Sequence, residues 1–322
     1  MSSSTSNSEP LALLGRALVG GCLVAAVLLL AFGNGHHASV IDYHGAVAAK
    51  ERRLRALPSP KVVIIGGSNA TFGIDSERLE HALCMPVVNM TIHANLGVEF
   101  MVNEVKSRLG PGDLVIASFE YSAYREAVRD NEVHVLTVDR APEAIHALPW
   151  YRRPRVIINV AILRLQAAWE EVLGERKGAG KEKVYRAEGF NERGDMVAHL
   201  DLPPRGPDEQ QPVEYKEPTF GDDLLPLAQE LVDSAAAHQA RVIFTWPCIA
   251  RSSRRPSVEN EVAARMAEAG HPLLGEARDY VFPDTAFHDT HYHLRAVGRR
   301  LRTDQLIRDL CGKAGINCCG AE

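Results

Sequence analysis

Four short apolar runs, separated by helical patterns, constrain the fold of this chain more than any other feature. The runs cover residues 61–65, 87–89, 114–119 and 241–246. Continuous runs of this length indicate strands that are buried on both faces. Helices are predicted over 75–84, 97–108, 153–173, 220–238, 258–269 and 296–310. This alternation predicts an α/β fold with a mostly parallel, doubly wound sheet, whose ligands bind at the carboxyl ends of the strands.

The amino-terminal region carries a long apolar segment. Residues 17–33 contain no charged side chain, and the segment extends to 11–33 if Arg16 is included. Because about 20 apolar residues span a bilayer, we expect a single-pass transmembrane anchor at 11–33 after a short cytoplasmic tail at 1–10. A cleaved signal peptide ending at Ala31-Phe32-Gly33 and a buried soluble helix are the alternatives. The anchor predicts a location in the cell membrane, with the rest of the chain on the periplasmic, extracytoplasmic side.

The remainder divides into a linker, one domain and a short tail. We assign 34–59 to a linker or stalk, 60–312 to the domain, and 313–322 to a cysteine-containing tail. Residues 174–218 show no sustained period and are interpreted as an insertion, with a hairpin near 185–201. In an oxidising compartment, Cys311, Cys318 and Cys319 are close enough in sequence for a short-loop disulfide, whereas Cys84 and Cys248 are expected to be small buried hydrophobic residues.

Composition and motifs exclude several classes of partner. The net charge is −5 and aromatic residues make up 6% of the chain, so a nucleic-acid partner is not expected. The turn after the first strand, Gly66-Gly67-Ser68-Asn69, matches neither a dinucleotide fingerprint nor a P-loop. We therefore predict no cofactor.

What this turn does present is a serine at the carboxyl end of a strand. A nucleophilic Ser68 needs a base, and the loop containing Asp289 and His293 offers one, with the aspartate orienting the imidazole. The alternative for Ser68 is a helix cap, and Asp75 is also interpreted as a cap. Glu120, at the end of the third strand, either belongs to the site or binds a backbone amide; His93 is expected to be an ordinary polar residue.

These residues resemble the SGNH/GDSL hydrolases. The turn Gly66-Gly67-Ser68-Asn69 corresponds to the first block of that family, and His293 followed by Gly298 has the spacing of its last block. Asp289 lies four residues before His293 rather than the usual three. More narrowly, the chain looks like the membrane-anchored bacterial branch found among polysaccharide O-acylation and D-alanylation proteins.

The resemblance implies a three-layer sandwich and a serine acyl-ester hydrolase or O-acyltransferase without a cofactor. Ser68 would be the nucleophile, His293 the base and Asp289 its orienting acid. The Ser68 backbone amide with Asn69 would hold the oxyanion. Gly67, Asn69, Asn89, Glu120, Tyr121 and His291 are the candidates for the oxyanion hole and for substrate binding. The substrate would be an acylated saccharide or envelope polymer, and a multi-pass membrane acyltransferase is the implied partner.

Two alternatives depart from this interpretation. The second and third blocks of the family lack their usual Gly and Asn here, which favours a catalytically inactive scaffold or binding module in an envelope acylation or polysaccharide export complex. A metal-dependent hydrolase is the other alternative, because His288, Asp289, His291 and His293 are potential zinc ligands within six residues. We predict no metal, since neither an HExxH motif nor a remote cysteine pair is present.

Overall fold

The computed structural model describes residues 8–33, 42–173, 184–203, 213 and 215–319. Its strands are β1 (Val62–Gly66), β2 (Val87–Asn89), β3 (Leu114–Ser118), β4 (Arg241–Thr245), β5 (Ile249–Ala250), β6 (Leu273–Leu274) and β7 (Val281–Phe282). Its helices are α1 (Ser8–Gly33), α2 (Ala46–Ala56), α3 (Ser68–Gly73), α4 (Ser76–Leu83), α5 (Gly97–Val105), α6 (Tyr121–Arg125), α7 (Glu132–Arg140), α8 (Arg153–Val172), α9 (Leu224–Ala237), α10 (Pro256–Glu268) and α11 (Ala296–Gly312).

The central sheet has five parallel strands in the order β2-β1-β3-β4-β6. From β1 the chain proceeds outward to β2 and then returns to the other side of β1 as β3. The strand order therefore reverses between β1 and β3, and such a switch point opens a crevice at the carboxyl ends of the two strands. The predicted α/β class and parallel sheet are confirmed. Strands β5 and β7 form a separate parallel pair.

Apolar side chains from alternate strand positions enter two separate cores. Val63, Ile65, Val115 and Ala117 pack on one face with α2, α5 and α9. Their neighbours along the same strands pack on the other face with α4 and α11: Val62, Ile64, Leu114 and Ile116. Strands β1, β2 and β3 are buried along their whole length, as their apolar runs predict, and the result is three layers with helices on each side of the sheet.

The segment before the first strand differs from the sequence-based prediction. Residues 42–56, which the sequence predicts to be part of a linker, form a turn of 3₁₀ helix followed by α2. Tyr43, Val47 and Leu54 from this segment are almost fully buried in the main core. Residues 34–41 lie outside the described part of the chain. The domain therefore begins before residue 60, because its core is closed by these side chains.

Residues 11–33, predicted to be an anchor, lie within α1. Across the ranges that the structure describes, no helix combines the length and the apolar character that crossing a membrane requires. The structure thus does not confirm the predicted anchor. Residues 1–7 of the predicted cytoplasmic tail are outside the described ranges.

The predicted insertion is described at 184–203, at 213 and from 215 onward, whereas 174–183, 204–212 and 214 lie outside the described residues. The hairpin predicted near 185–201 is reduced to one antiparallel bridge between Phe190 and Met196. The segment nevertheless packs into the domain, since Met196 and Asp195 are fully buried.

Two disulfides attach the carboxyl-terminal segment to itself and to the domain. Cys311 pairs with Cys318, which confirms the predicted short-loop bridge. Cys84 is wrongly predicted as a buried hydrophobic residue: it is exposed and pairs with Cys319, 235 residues away. Cys248 is free and fully buried, as predicted.

Candidate active site

Two glycines allow the Ser68 turn to approach β3 very closely. A Cβ atom on Gly66 would lie 2.1 Å from the carbonyl oxygen of Ser118, and Gly66 has a φ of +152°. A Cβ on Gly67 would lie 2.7 Å from a carboxylate oxygen of Glu120. Gly67 is thus a steric requirement of the site. Ser68 follows as the first residue of α3, partly buried at the switch point.

Glu120 holds the resting Ser68 hydroxyl. The hydroxyl donates to Oε1 of Glu120 at 3.0 Å, and the backbone N–H of Asn69 donates to the same oxygen at 2.8 Å. Glu120 is 6% exposed, so this contact is shielded from solvent. The two sequence-based alternatives for Glu120 are both realised, because it binds a backbone amide and the candidate nucleophile together.

The helix-cap alternative for Ser68 is excluded, because its side chain makes this contact and Gly67 occupies the cap position. Asp75 does cap α4, as predicted.

Asp289 and His293 form a buried, hydrogen-bonded pair. Nδ1 of His293 donates to Oδ1 of Asp289 at 2.8 Å, while the hydroxyl of Tyr185 donates to Oδ2 and lies 3.2 Å from Nδ1. Burial alone would raise the pKa of Asp289, but the hydrogen bond and charge of His293, with the Tyr185 hydroxyl, lower it well below its usual range. Asp289 is therefore a stable carboxylate. With its proton on Nδ1, neutral His293 carries its lone pair on Nε2, where a general base needs it.

Two contacts bring the His293 loop to the Ser68 turn. The ring of Phe72, one helical turn after Ser68, stacks on the imidazole of His293 with a centroid separation of 4.0 Å and an interplanar angle of 7°. The thiol of Cys248 contacts the carbonyl oxygens of Asn69 and Tyr292, at 3.8 and 3.1 Å. The neighbours of Ser68 and His293 thus pack around one buried sulfur, and the two predicted halves of the site meet at the same edge of the sheet.

The carboxamides predicted for the oxyanion hole are used elsewhere. Asn69 donates to the Ser118 carbonyl and accepts from the Ser118 hydroxyl and from Arg302. Asn89 donates to Asp195 and accepts from the backbone N–H and hydroxyl of Thr91. Both asparagines are fully buried. Their side chains therefore stabilise the interior, and the prediction that they hold an oxyanion is wrong for both carboxamides.

The two other predicted substrate-binding residues lie beside the site but make different contacts. Tyr121, directly after Glu120, is 4% exposed and packs among the rings of Tyr124 and Tyr215. Burial raises its pKa well above the usual range, so it stays a neutral phenol. His291 hydrogen-bonds the hydroxyl of Ser253. The structure thus pairs Ser68 with Glu120 and Asp289 with His293, and Phe72 connects the two pairs. Tyr121 and His291 instead contact the surrounding side chains.

In the described part of the chain, no group of three or more potential ligands has a geometry that could hold a metal ion. His288 is buried, with its ring centroid 5.6 Å from that of His199. Nε2 of His199 donates to the carbonyl oxygen of Leu294 at 2.8 Å. Burial lowers the pKa of His199 to about 4, so at neutral pH it is an uncharged packing partner of Phe72.

Sequence reasoning missed three residues of the site. Tyr185 completes the acidic pair, Arg302 lies beneath the turn, and His93 lies within the electrostatic reach of Glu120 and His293. Arg302 is 1% exposed and donates to the carbonyl and carboxamide oxygens of Asn69 and to the Ser118 hydroxyl. A tyrosine in an aperiodic segment and an arginine within a charged helix carry no local signal, whereas His93 had one, its position just after the second strand.

No family model matches the sequence, and no curated protein matches it either.

Proposed function

We propose that this protein is a serine acyl-ester hydrolase or O-acyltransferase of the SGNH type. The observation that supports this most directly is the buried Tyr185–Asp289–His293 arrangement, which stacks on Phe72 one helical turn after Ser68 and in which Asp289 binds Nδ1 of His293 and leaves Nε2 for the role of base. Neutral structural histidines in a core do not need an ionised carboxylate on Nδ1, whereas an imidazole that becomes protonated during a reaction does.

In this mechanism the Ser68 hydroxyl turns from Glu120 to His293 and attacks an acyl carbonyl. Nε2 of His293 takes the hydroxyl proton, and Asp289 stabilises the resulting imidazolium. When the tetrahedral intermediate collapses, the bond to the leaving alcohol breaks and His293 returns the proton to that oxygen. Water or a sugar hydroxyl then attacks acyl-Ser68 through the same base, which releases the acyl group by hydrolysis or by transfer.

We further propose an extracytoplasmic substrate, an acylated saccharide or envelope polymer, with a multi-pass membrane acyltransferase as partner. Two disulfides support an oxidising compartment, because such bonds are rare in reducing cytosol. An amino-terminal anchor at 11–33 would keep the domain at the membrane.

Labelling with a fluorophosphonate tests the nucleophile. The full-length protein is treated with the probe and its intact mass is measured, alongside Ser68→Ala, His293→Ala and the exposed-serine control Ser107→Ala. We expect one adduct in the wild type and in Ser107→Ala, and none in the other two variants. A folded wild-type protein that gains no adduct would contradict the proposal.

An inactive scaffold is the second candidate. The observation that favours it is the engagement of both candidate carboxamides and of the resting Ser68 hydroxyl by other groups. The labelling experiment separates the two candidates, since a scaffold gains no adduct at Ser68 although it folds normally.

A further inference from the structure

A serine acyl-transfer site needs hydrogen-bond donors for the oxyanion of its tetrahedral intermediate. In this structure several of the predicted donors are engaged. The Asn69 and Asn89 carboxamides face internal partners, and the Asn69 backbone N–H already donates to the carboxylate of Glu120. Of the predicted donors, the backbone N–H of Ser68 remains, and a side-chain donor beside it would complete the hole.

His93 offers such a donor beside the Ser68 turn. It follows β2 at the carboxyl edge of the sheet and caps the 3₁₀ turn Ala94–Leu96. Both of its chain neighbours contact the segment that carries Ser68. The carbonyl oxygen of Ile92 accepts from the hydroxyl of Thr71 in α3 at 3.2 Å, and a Cβ atom on Gly67 would lie 2.9 Å from the Cβ of Ala94.

The local backbone determines the tautomer of His93. Nδ1 of the ring accepts the backbone N–H of Asn95 at 3.0 Å. Nδ1 therefore carries a lone pair, and in the neutral ring the proton must be on Nε2. His93 thus presents an N–H donor on its far side, which cannot change to an acceptor without breaking the cap of the turn.

The surroundings also keep the ring neutral. Burial lowers the pKa of His93, and the positive charge of Arg129 acts in the same direction, against the opposing effect of Glu120. A neutral imidazole is an effective donor to a carbonyl oxygen that is gaining charge, because it polarises the oxygen without a proton transfer.

Resting on the proposed function above, the geometry points to His93 as the side-chain donor of the oxyanion hole, with Nε2–H directed to the carbonyl oxygen of the acyl group attached by Ser68. No proton leaves His93 during the reaction. Its hydrogen bond strengthens as negative charge develops on that oxygen, so it acts on the transition state more than on the bound ester.

The test compares full-length wild type with His93→Ala, His93→Gln and the exposed-histidine control His146→Ala. Hydrolysis of 4-nitrophenyl acetate and of the corresponding thionoester, in which sulfur replaces the carbonyl oxygen, is measured for each. We expect His93→Ala to lower kcat for the oxygen ester by about 10²-fold with little change in KM. The oxygen-to-sulfur rate ratio should fall as well, because sulfur accepts hydrogen bonds poorly. His93→Gln, which keeps an N–H donor, should recover part of both losses.

The outcomes separate this inference from the function on which it rests. If the wild type is acylated at Ser68 and His93→Ala retains kcat within about threefold, or loses activity equally on both esters, His93 is not an oxyanion donor. If the wild type itself forms no acyl-Ser68, the proposed function fails and the inference falls with it. If His93→Ala does not fold, the oxygen-to-sulfur rate ratio of His93→Gln decides. Glutamine places its N–H donor at a different position from that of the imidazole. An unchanged kcat and an unchanged rate ratio in this variant would therefore overturn the assignment.

Discussion

At Asp289, burial and hydrogen bonding act on one carboxyl in opposite directions, and hydrogen bonding prevails. The His293 imidazole and the Tyr185 hydroxyl each contribute a donor, so the pKa falls despite the cost of desolvation. Neither donor is adjacent in the chain: Tyr185 is 104 residues away. The ionised state of this residue therefore depends on the assembled site as well as on the local pairing with His293.

Replacing Tyr185 with phenylalanine tests that balance. The variant keeps the ring packing but removes one donor to the carboxylate, so the pKa of Asp289 should rise. It also removes the contact that holds the carboxylate in place against Nδ1 of His293, so the pair should be less well positioned for catalysis. A hydrogen bond to a charged group contributes about 1.5 kcal/mol, which corresponds to roughly tenfold in kcat. The change in kcat is measured by ester hydrolysis with the wild type, Tyr185→Phe and the exposed control Tyr151→Phe. Equal rates in wild type and Tyr185→Phe would show that the hydroxyl has no role.

At the scale of elements, the β1–α3 turn depends on the absence of side chains. Gly66 lies in register with Ser118 across the parallel β1–β3 pair, and its Cα faces the Ser118 carbonyl so closely that no Cβ fits. Beneath α3, the guanidinium of Arg302 takes the remaining space: a Cβ on Gly73 would lie 2.3 Å from its Nη1 atom. The position of Ser68 thus follows from close packing of backbone on both sides of the turn.

We expect Gly66→Ala to destabilise the protein by about 3 kcal/mol, because the methyl group forces β1 away from β3 and strains a backbone that favours glycine. Gly312→Ala is the matched control. That glycine ends α11 with no atom within 4 Å of its added Cβ, so the change should be neutral or stabilising by up to about 1 kcal/mol. Urea unfolding of both variants provides the comparison, and indistinguishable midpoints would contradict the steric argument.

At the scale of the whole molecule, the Cys84–Cys319 disulfide joins the end of α4 to the carboxyl-terminal segment. It closes a loop of 235 residues, whereas Cys311–Cys318 closes one of 7. In the chain-entropy account, a cross-link stabilises by restricting the unfolded chain, and the effect grows with the logarithm of the loop length.

Removing the two disulfides should therefore have unequal effects. The account predicts losses of about 5 kcal/mol for the Cys84→Ser/Cys319→Ser pair and about 2 kcal/mol for the Cys311→Ser/Cys318→Ser pair. Free energies of unfolding from urea titrations under non-reducing conditions measure both. A larger loss from the short loop would show that local contacts of the tail, and not loop closure, dominate.

Local patterns in the sequence determine much of the architecture and part of the site. The runs at 87–89 and 114–119 predict β2 and β3 to within one residue, because a strand buried on both faces must be continuously apolar. The Asp75 cap follows from its position before a helical pattern. Asp289 and His293, four residues apart in one loop, are near each other in any compact fold, so their pairing is predicted without a structure.

Only the tertiary structure decided which distant groups complete the site. Glu120 contacts Ser68 across 51 intervening residues, Arg302 reaches the carbonyl of Asn69 from α11, and Cys84 pairs with the far end of the chain. The physical reason is that periodicity reports only which side of an element is buried. Which side chains then meet depends on strand order and on the backbone spacing that glycines permit. It also depends on competing hydrogen-bond partners. Asn69 and Asn89 bond to interior groups and not, as the sequence predicts for them, to a substrate.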